Sequence, residues 1–156
     1  MSTRIVWRTM EEDHERRDLA AMLQPLVRAL IDAELPVLAR HHITMWGYVV
    51  LNGLRDAPHS SQAALAGKIG ADKTRIIATL DDLQAAGLIS REPDPGDRRA
   101  RLLSITPAGN RVRRAVQSEI QRNEERLLAE LPAAERTAFL SAAARLSSLP
   151  VARILS

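Results

Sequence analysis

There is no cysteine anywhere in the 156 residues, and that one absence removes disulfide bridges, thiolate nucleophiles and zinc–thiolate sites together. Aromatic residues are scarce, at 3%, so a core has to be built from Leu, Val, Ile and Ala, which favours packed helices. Long apolar runs are missing too. None approaches the roughly 18 residues of a membrane span, and the opening MSTRIVWRTMEEDHERR has no signal-peptide apolar stretch. A cytoplasmic protein with no membrane partner is expected. Charge of one sign is not in excess: the formal net charge is only +3.

Catalytic patterns are equally absent. There is no glycine-rich phosphate loop and no nucleophile-elbow motif, and the acidic neighbours Asp81-Asp82 and Glu124-Glu125 would diverge on a helix. No cysteine is available as a ligand, no two of the histidines His14, His41, His42 and His59 stand at helical ligand spacing, and the adjacent pair points its rings apart. A non-enzyme with no metal and no cofactor is expected. The chain has the length of one domain, and 46% hydrophobic with 26% charged residues is an ordinary globular composition.

What the chain does have is concentrated between Ser60 and Thr106. In SSQAALAGKIG a hydroxyl N-cap, Ser60 or Ser61, precedes Leu65, Ala66 and Ile69 on one helix face, and Gly70 can stop the helix in a left-handed conformation. Asp72 is a second cap, and Ile76, Leu80 and Leu83 repeat at four and three until Gly87. The spacing predicts a second helix from Lys73 to about Ala86, with Lys73, Thr74, Arg75 and Ala78 off its apolar stripe. Leu88 and Ile89, the turn-rich EPDPGD and the β-compatible RRARLLSIT then read as a strand, a loop and a returning strand. Helix, turn, helix and hairpin make a winged helix, mainly α with one small β-hairpin. Its second helix fits a DNA major groove, and its hairpin tip carries Arg98 and Arg99.

Four blocks of these residues resemble the MarR (multiple-antibiotic-resistance) family of bacterial winged-helix regulators. The most specific is the wing DPGDRRARLLSITPAG, which is similar to that family's pattern of an Asp, one residue, an Arg, then a strand ending in Ile-Thr with a Gly three residues on: Asp97, Arg99, Ile105, Thr106 and Gly109. ADKTRIIATLDDLQAAGLI, AALAGKIG and ITMWGYVVL match less specific blocks. Together these span roughly residues 38 to 109. The resemblance implies a dimeric repressor that releases DNA when a small aromatic or apolar acid binds, with Arg17, His42 and Trp46 as candidates to line the effector pocket. It also implies that Arg99 enters the minor groove with Asp97 orienting its guanidinium. Ala78 departs from the family, which often carries a longer polar or basic side chain there.

The DNA-contacting candidates are therefore Ser61 and Gln62 at the start of the first reading helix, Lys73, Thr74 and Arg75 at the start of the second, and Asp97, Arg98 and Arg99 in the wing. Bulk charge does not carry this reading. Residues 60 to 106 hold seven basic side chains against six acidic, a balance that also suits the alternative of a winged-helix dimer acting as a protein-interaction module.

Outside the core, residues 1 to about 10 show no period and read as a loose arm. From Glu11 the spacing of Leu19, Met22, Leu23, Leu26, Val27, Leu30 and Ile31 predicts a long amphipathic helix, with a bend near Glu34 to Pro36 and a short segment through Arg40. Thr44 caps the scaffold helix MWGYVVLNGL. Thr106 and Pro107 launch another with Val112, Val116, Ile120, Leu127 and Leu128, Pro132 interrupts it, and a last helix runs from Ala133 to about Leu149 before Pro150. These terminal stripes exceed what the winged helix can cover, so residues 1–42 and 107–156 are expected to pair with a second copy, while 43–106 reads a pseudo-palindromic double-stranded operator.

Overall fold

Residues 17–156 are described by a computed structural model, in the order α1 (Leu19–Arg40), α2 (Met45–Asp56), β1 (Ser60–Ser61), α3 (Gln62–Ile69), α4 (Lys73–Ala85), β2 (Ile89–Pro93), β3 (Arg101–Ile105), α5 (Pro107–Leu128), α6 (Ala133–Ser147) and α7 (Val151–Ile154). The expected N-terminal arm, and the start of the first helix at Glu11, lie outside the described residues.

The core sits where α2, α3, α4, β3 and α5 converge. Val50, Leu51 and Leu54 of α2, Leu65 of α3, Leu80 of α4, Leu103 of β3 and Val116 of α5 are all fully buried. Each of the four helices has its start fixed by a side-chain cap. Thr44 Oγ1 accepts from the Gly47 amide, Ser61 Oγ from Ala64, Asp72 Oδ1 from Thr74 and Thr106 Oγ1 from Gly109. A cap of this kind is worth about 1 kcal/mol because it satisfies an amide the helix itself cannot. Of the two serines, Ser61 is the cap, while Ser60 Oγ donates to the Ala57 carbonyl at 2.6 Å.

The sheet has three strands in the order β1-β3-β2, antiparallel throughout. β2 and β3 form the expected hairpin, with Ile89 opposite Ile105 and Pro93 opposite Arg101. The two-residue β1 was not foreseen; Ser60 and Ser61 pair with Leu103 and Leu102 on the other edge of β3, so the start of α3 is tied to the wing.

Two further expectations change. α1 is one helix through Pro25 and Pro36 to Arg40, where a bend and a separate short segment were expected. A proline inside a helix removes one donor and leaves the carbonyl four residues back without it. At Pro25 that carbonyl belongs to Ala21, and Arg17 Nη2 donates to it at 3.4 Å. Just beyond Pro36, Val37 and Leu38 are buried, and Arg40 and His41 both reach Glu119 of α5, at 2.7 and 3.0 Å. Packing and ion pairing hold the helix where local propensity would end it. At the far end, Pro150 stops α6 as predicted but also starts the short α7.

Among the described residues, α6 and α7 bury nothing. Leu19, Met22, Leu23, Val27 and Ile31 on α1, with Phe139, Leu140 and Leu146 on α6, are exposed apolar side chains. Leu127, expected on the buried stripe of α5, is exposed, whereas Leu128 beside it is buried.

Candidate nucleic-acid interface

The reading surface is set by a division of labour around α4. Ile76, Leu80 and Leu83 are buried, which fixes the helix in rotation and turns Thr74, Arg75 and Ala78 to solvent. Its first turn is held from both sides. Gly70, at φ +66°, ends α3 in the left-handed region that glycine enters without strain. Asp72 then accepts the Thr74 amide at 2.7 Å. Its hydrogen bonds from the Thr74 and Arg75 amides hold the Asp72 carboxyl below the usual range, so the cap is ionised at neutral pH and sits on the positive end of the helix dipole. Lys73 is the first residue of α4; its side chain lies outside the described residues.

Ser61 and Gln62 stand at the start of α3, both half-buried. The oxygen of Ser61 is engaged as the cap, leaving its hydroxyl proton to donate.

The wing tip is a closed loop from Asp94 to Ala100. The Asp94 amide donates to the Ala100 carbonyl at 3.1 Å and the Ala100 amide to the Asp97 carbonyl at 2.9 Å. Asp94 Oδ1 accepts the Gly96 amide at 2.8 Å. Asp97 Oδ1 accepts the backbone amide of Arg99 at 2.9 Å, where the resemblance implied a grip on the guanidinium. Its place in the motif is thus that of a turn former. Among the described residues no carboxylate is paired with Arg75, Arg98 or Arg99, and all three are exposed.

The Thr and Gly that close the wing motif act at the joint beneath it. Thr106 Oγ1 donates to the Gly87 carbonyl at 2.7 Å while accepting the Gly109 amide, and the Thr106 amide donates to the Leu88 carbonyl. A Cβ on Gly109 would come within 2.0 Å of the Leu88 carbonyl oxygen, so only glycine lets α5 start that close to the turn after α4. These residues set the angle between the reading helix and the wing.

Three features escaped the sequence reading. Arg91 of β2 pairs with Asp81 of α4 at 2.7 Å, with Nε and Nη2 buried and without partners; a cross-element ion pair leaves no mark in local periodicity. Arg113, only 5% exposed, donates to Gln117 Oε1 at 3.1 Å and leaves Nε unpartnered. Burial first, then the neighbouring Arg55 and Arg114, push its pKa down. The signal was there, since position 113 falls beside Val112 and Val116 on the buried stripe. Ile77, off the stripe of Ile76, Leu80 and Leu83, is 46% exposed on α4.

The effector-pocket candidates do not converge within one chain. Arg17 and His42 lie at opposite ends of α1, whose 22 residues span roughly 33 Å at 1.5 Å per residue. Trp46 is half-buried in the first turn of α2, near His42, which adopts φ +53°. A cavity of about 210 Å³ instead opens between α1 and α5, lined by Leu30, Ala33, Glu34, Ile120, Glu124 and Leu127 among others. None of the three candidates lines it. Burial, then the Glu124 carboxylate, push the Glu34 carboxyl above its ordinary value.

Comparison with known proteins gives a consistent result. The model of the MarR family matches residues 43–100. A putative transcriptional regulatory protein for the hcr operon of Thauera aromatica is 29% identical over 133 residues, covering 85% of this chain and 76% of that protein. Among solved structures, the PcaV transcriptional regulator from Streptomyces coelicolor in complex with its natural ligand is 30% identical, with 85% of this chain and 96% of that chain covered and a TM-score of 0.62. The transcriptional repressor CouR bound to a 23-mer DNA duplex is 26% identical, covers 88% of this chain and 98% of its own, and superposes with a TM-score of 0.72.

Proposed function

The chain belongs to the MarR family, and from that premise we propose that it reads its operator with the first two turns of α4 and holds the flanking backbone with the wing tip. It is a winged-helix transcriptional regulator, not an enzyme. It binds double-stranded DNA as a homodimer and acts as a repressor that a small ligand releases. Arg75 takes a base edge, Arg98 and Arg99 take phosphates or the minor groove, and Lys73, Thr74, Ser61 and Gln62 contribute the remaining contacts. Asp97 shapes the turn that presents Arg99.

The observation that carries this reading is placement: Arg75 is exposed in the first turn of α4, and Arg98 and Arg99 are exposed at the tip of the wing that follows it. The near-neutral balance of the reading segment is a bulk property, and contact depends on where the basic groups stand; Asp81 and Arg91 cancel one another away from the wing tip. Residues 43–106 form the reading unit, and α1, α5 and α6 supply the surface that pairs with a second copy, working on DNA in the cytoplasm; among the described residues no helix is long and apolar enough to cross a membrane.

Release follows from a population shift: a ligand that binds the DNA-incompetent spacing of the two recognition helices more tightly favours it, by no more than its differential affinity. The direct test is fluorescence anisotropy of the full chain on duplexes recovered from a randomised pool. A palindromic duplex bound by two chains, with affinity falling about 10³–10⁵-fold from 50 to 200 mM salt and at least about tenfold on Arg99→Ala, is expected. Weak binding to every duplex with no effect of Arg99→Ala would sink the assignment.

A further inference from the structure

The first two turns of α4 present an apolar lane that a hydrated helix face has no use for. The stripe that holds the helix is complete with Ile76, Leu80 and Leu83. Ile77, at 100° per residue, lies a quarter turn away from it, and 46% of it is exposed. Thr74, Ile77 and Ala78 stand at i, i+3 and i+4, the spacing at which helical side chains adjoin, and Thr74 and Ala78 are exposed as well. Three methyl-bearing side chains thus form one continuous strip in the part of the helix that enters the groove. Arg75 lies on the opposite flank.

A lone exposed isoleucine is ordinary on a protein surface. This one is not alone, and it stands where the partner's chemistry is fixed. The major groove of DNA offers acceptors and donors from every base pair but only one apolar group, the 5-methyl of thymine. We propose that Ile77, flanked by Thr74 and Ala78, reads thymine methyl groups, so that each half-site is recognised by one or two thymines beside the base pair taken by Arg75. Ala78, whose short side chain offers no hydrogen bond to a base, is then part of the apolar reading surface and no longer a missing contact. The inference rests on the DNA-binding reading above and adds the base chemistry to it.

The operator is first recovered by selecting full-length protein against a randomised duplex pool. Each thymine in one half-site is then replaced singly by deoxyuridine, which removes the methyl group and keeps every hydrogen-bonding atom. Binding is expected to weaken about three- to fourfold at one or two positions, the worth of a lost methyl contact, and to stay unchanged at the others. Ile77→Ala, at an exposed position where the fold is not at stake, should weaken the thymine duplex by a similar factor. It should also erase the thymine–uracil difference at those positions and leave the salt dependence as it was. If uracil is tolerated throughout, or if Ile77→Ala keeps the full thymine–uracil difference, the methyl assignment is wrong while the regulator reading stands. A pool from which no sequence is enriched overturns both.

Discussion

The segment from Ile43 to Ile105 and the C-terminal helices α6 and α7 treat their apolar residues in opposite ways. Inside the segment, α2, α3, α4 and both wing strands each contribute buried side chains to one cluster. Outside it, α5 and the end of α1 join the same cluster through Val116, Ile120, Val37 and Leu38, whereas α6 and α7 bury none. A 15-residue helix such as α6 is marginal on its own in water, where packing supplies most helical stability. On the proposed division, the reading half is complete within one chain once α5 and the end of α1 close its core, and the exposed faces of α1 and α6 are completed by a second copy. Ligand control becomes intelligible on this division, since the spacing of two rigid readers can change without disturbing either core.

The contrast is broken most strongly at its centre. Leu80→Ala removes a fully buried side chain and should cost about 2–5 kcal/mol in chemical denaturation, whereas Leu146→Asp on α6 should leave the amide NMR pattern of residues 43–105 intact and shift sedimentation equilibrium to the monomer. A monomer that unfolds along its whole length on Leu146→Asp would erase the distinction between the two halves.

Gly109→Ala tests the joint between them. The new methyl would overlap the Leu88 carbonyl, and a stability loss of about 1–3 kcal/mol is expected, with weaker DNA binding as the wing is displaced. Within the wing, Asp97→Asn keeps an oxygen for the Arg99 amide and should change DNA affinity by less than about twofold, against at least about tenfold for Arg99→Ala. Equal losses from the two variants would restore the guanidinium-orienting role to Asp97.

The smallest effect concerns acid. Glu34 is held above its ordinary pKa, so the folded state disfavours its charged form. Stability falls as pH rises from the unfolded value of roughly 4.3 through the raised folded one. Glu34→Gln should then raise the melting temperature at pH 7 by less than about 3 °C and have no effect near pH 3.5. Glu119 behaves oppositely. Arg40, then His41, hold its carboxyl below the ordinary range, and the stability it gives is lost as pH falls through that lowered value.

Much of the reading unit was legible before any coordinates. Ser61, Asp72 and Thr106 act as caps because their oxygens meet amides two or three residues away, and Gly70 and Gly87 take positive φ at the helix ends. Such interactions are local. The wing followed from turn residues between two β-compatible runs. The site was less legible: its residues could be placed, but the sequence did not show that Asp97 accepts the backbone amide of Arg99 or that Ile77 is left exposed. Motif spacing tells which residues adjoin, not which atom of each is used or which flank of a helix is left uncovered.

By itself, then, the sequence determined the order of helices, their capped starts, the wing and the surplus of apolar surface, all properties decided within a few residues of backbone or by simple periodicity. Tertiary structure alone decided that α1 continues through Pro36, that two serines become a strand on β3, that Arg91 neutralises Asp81 and that Arg113 is buried. It also decided that Gly109 must lack a side chain. Each of these depends on atoms brought together from distant parts of the chain, where packing and desolvation outweigh the fractions of a kilocalorie that local propensity supplies.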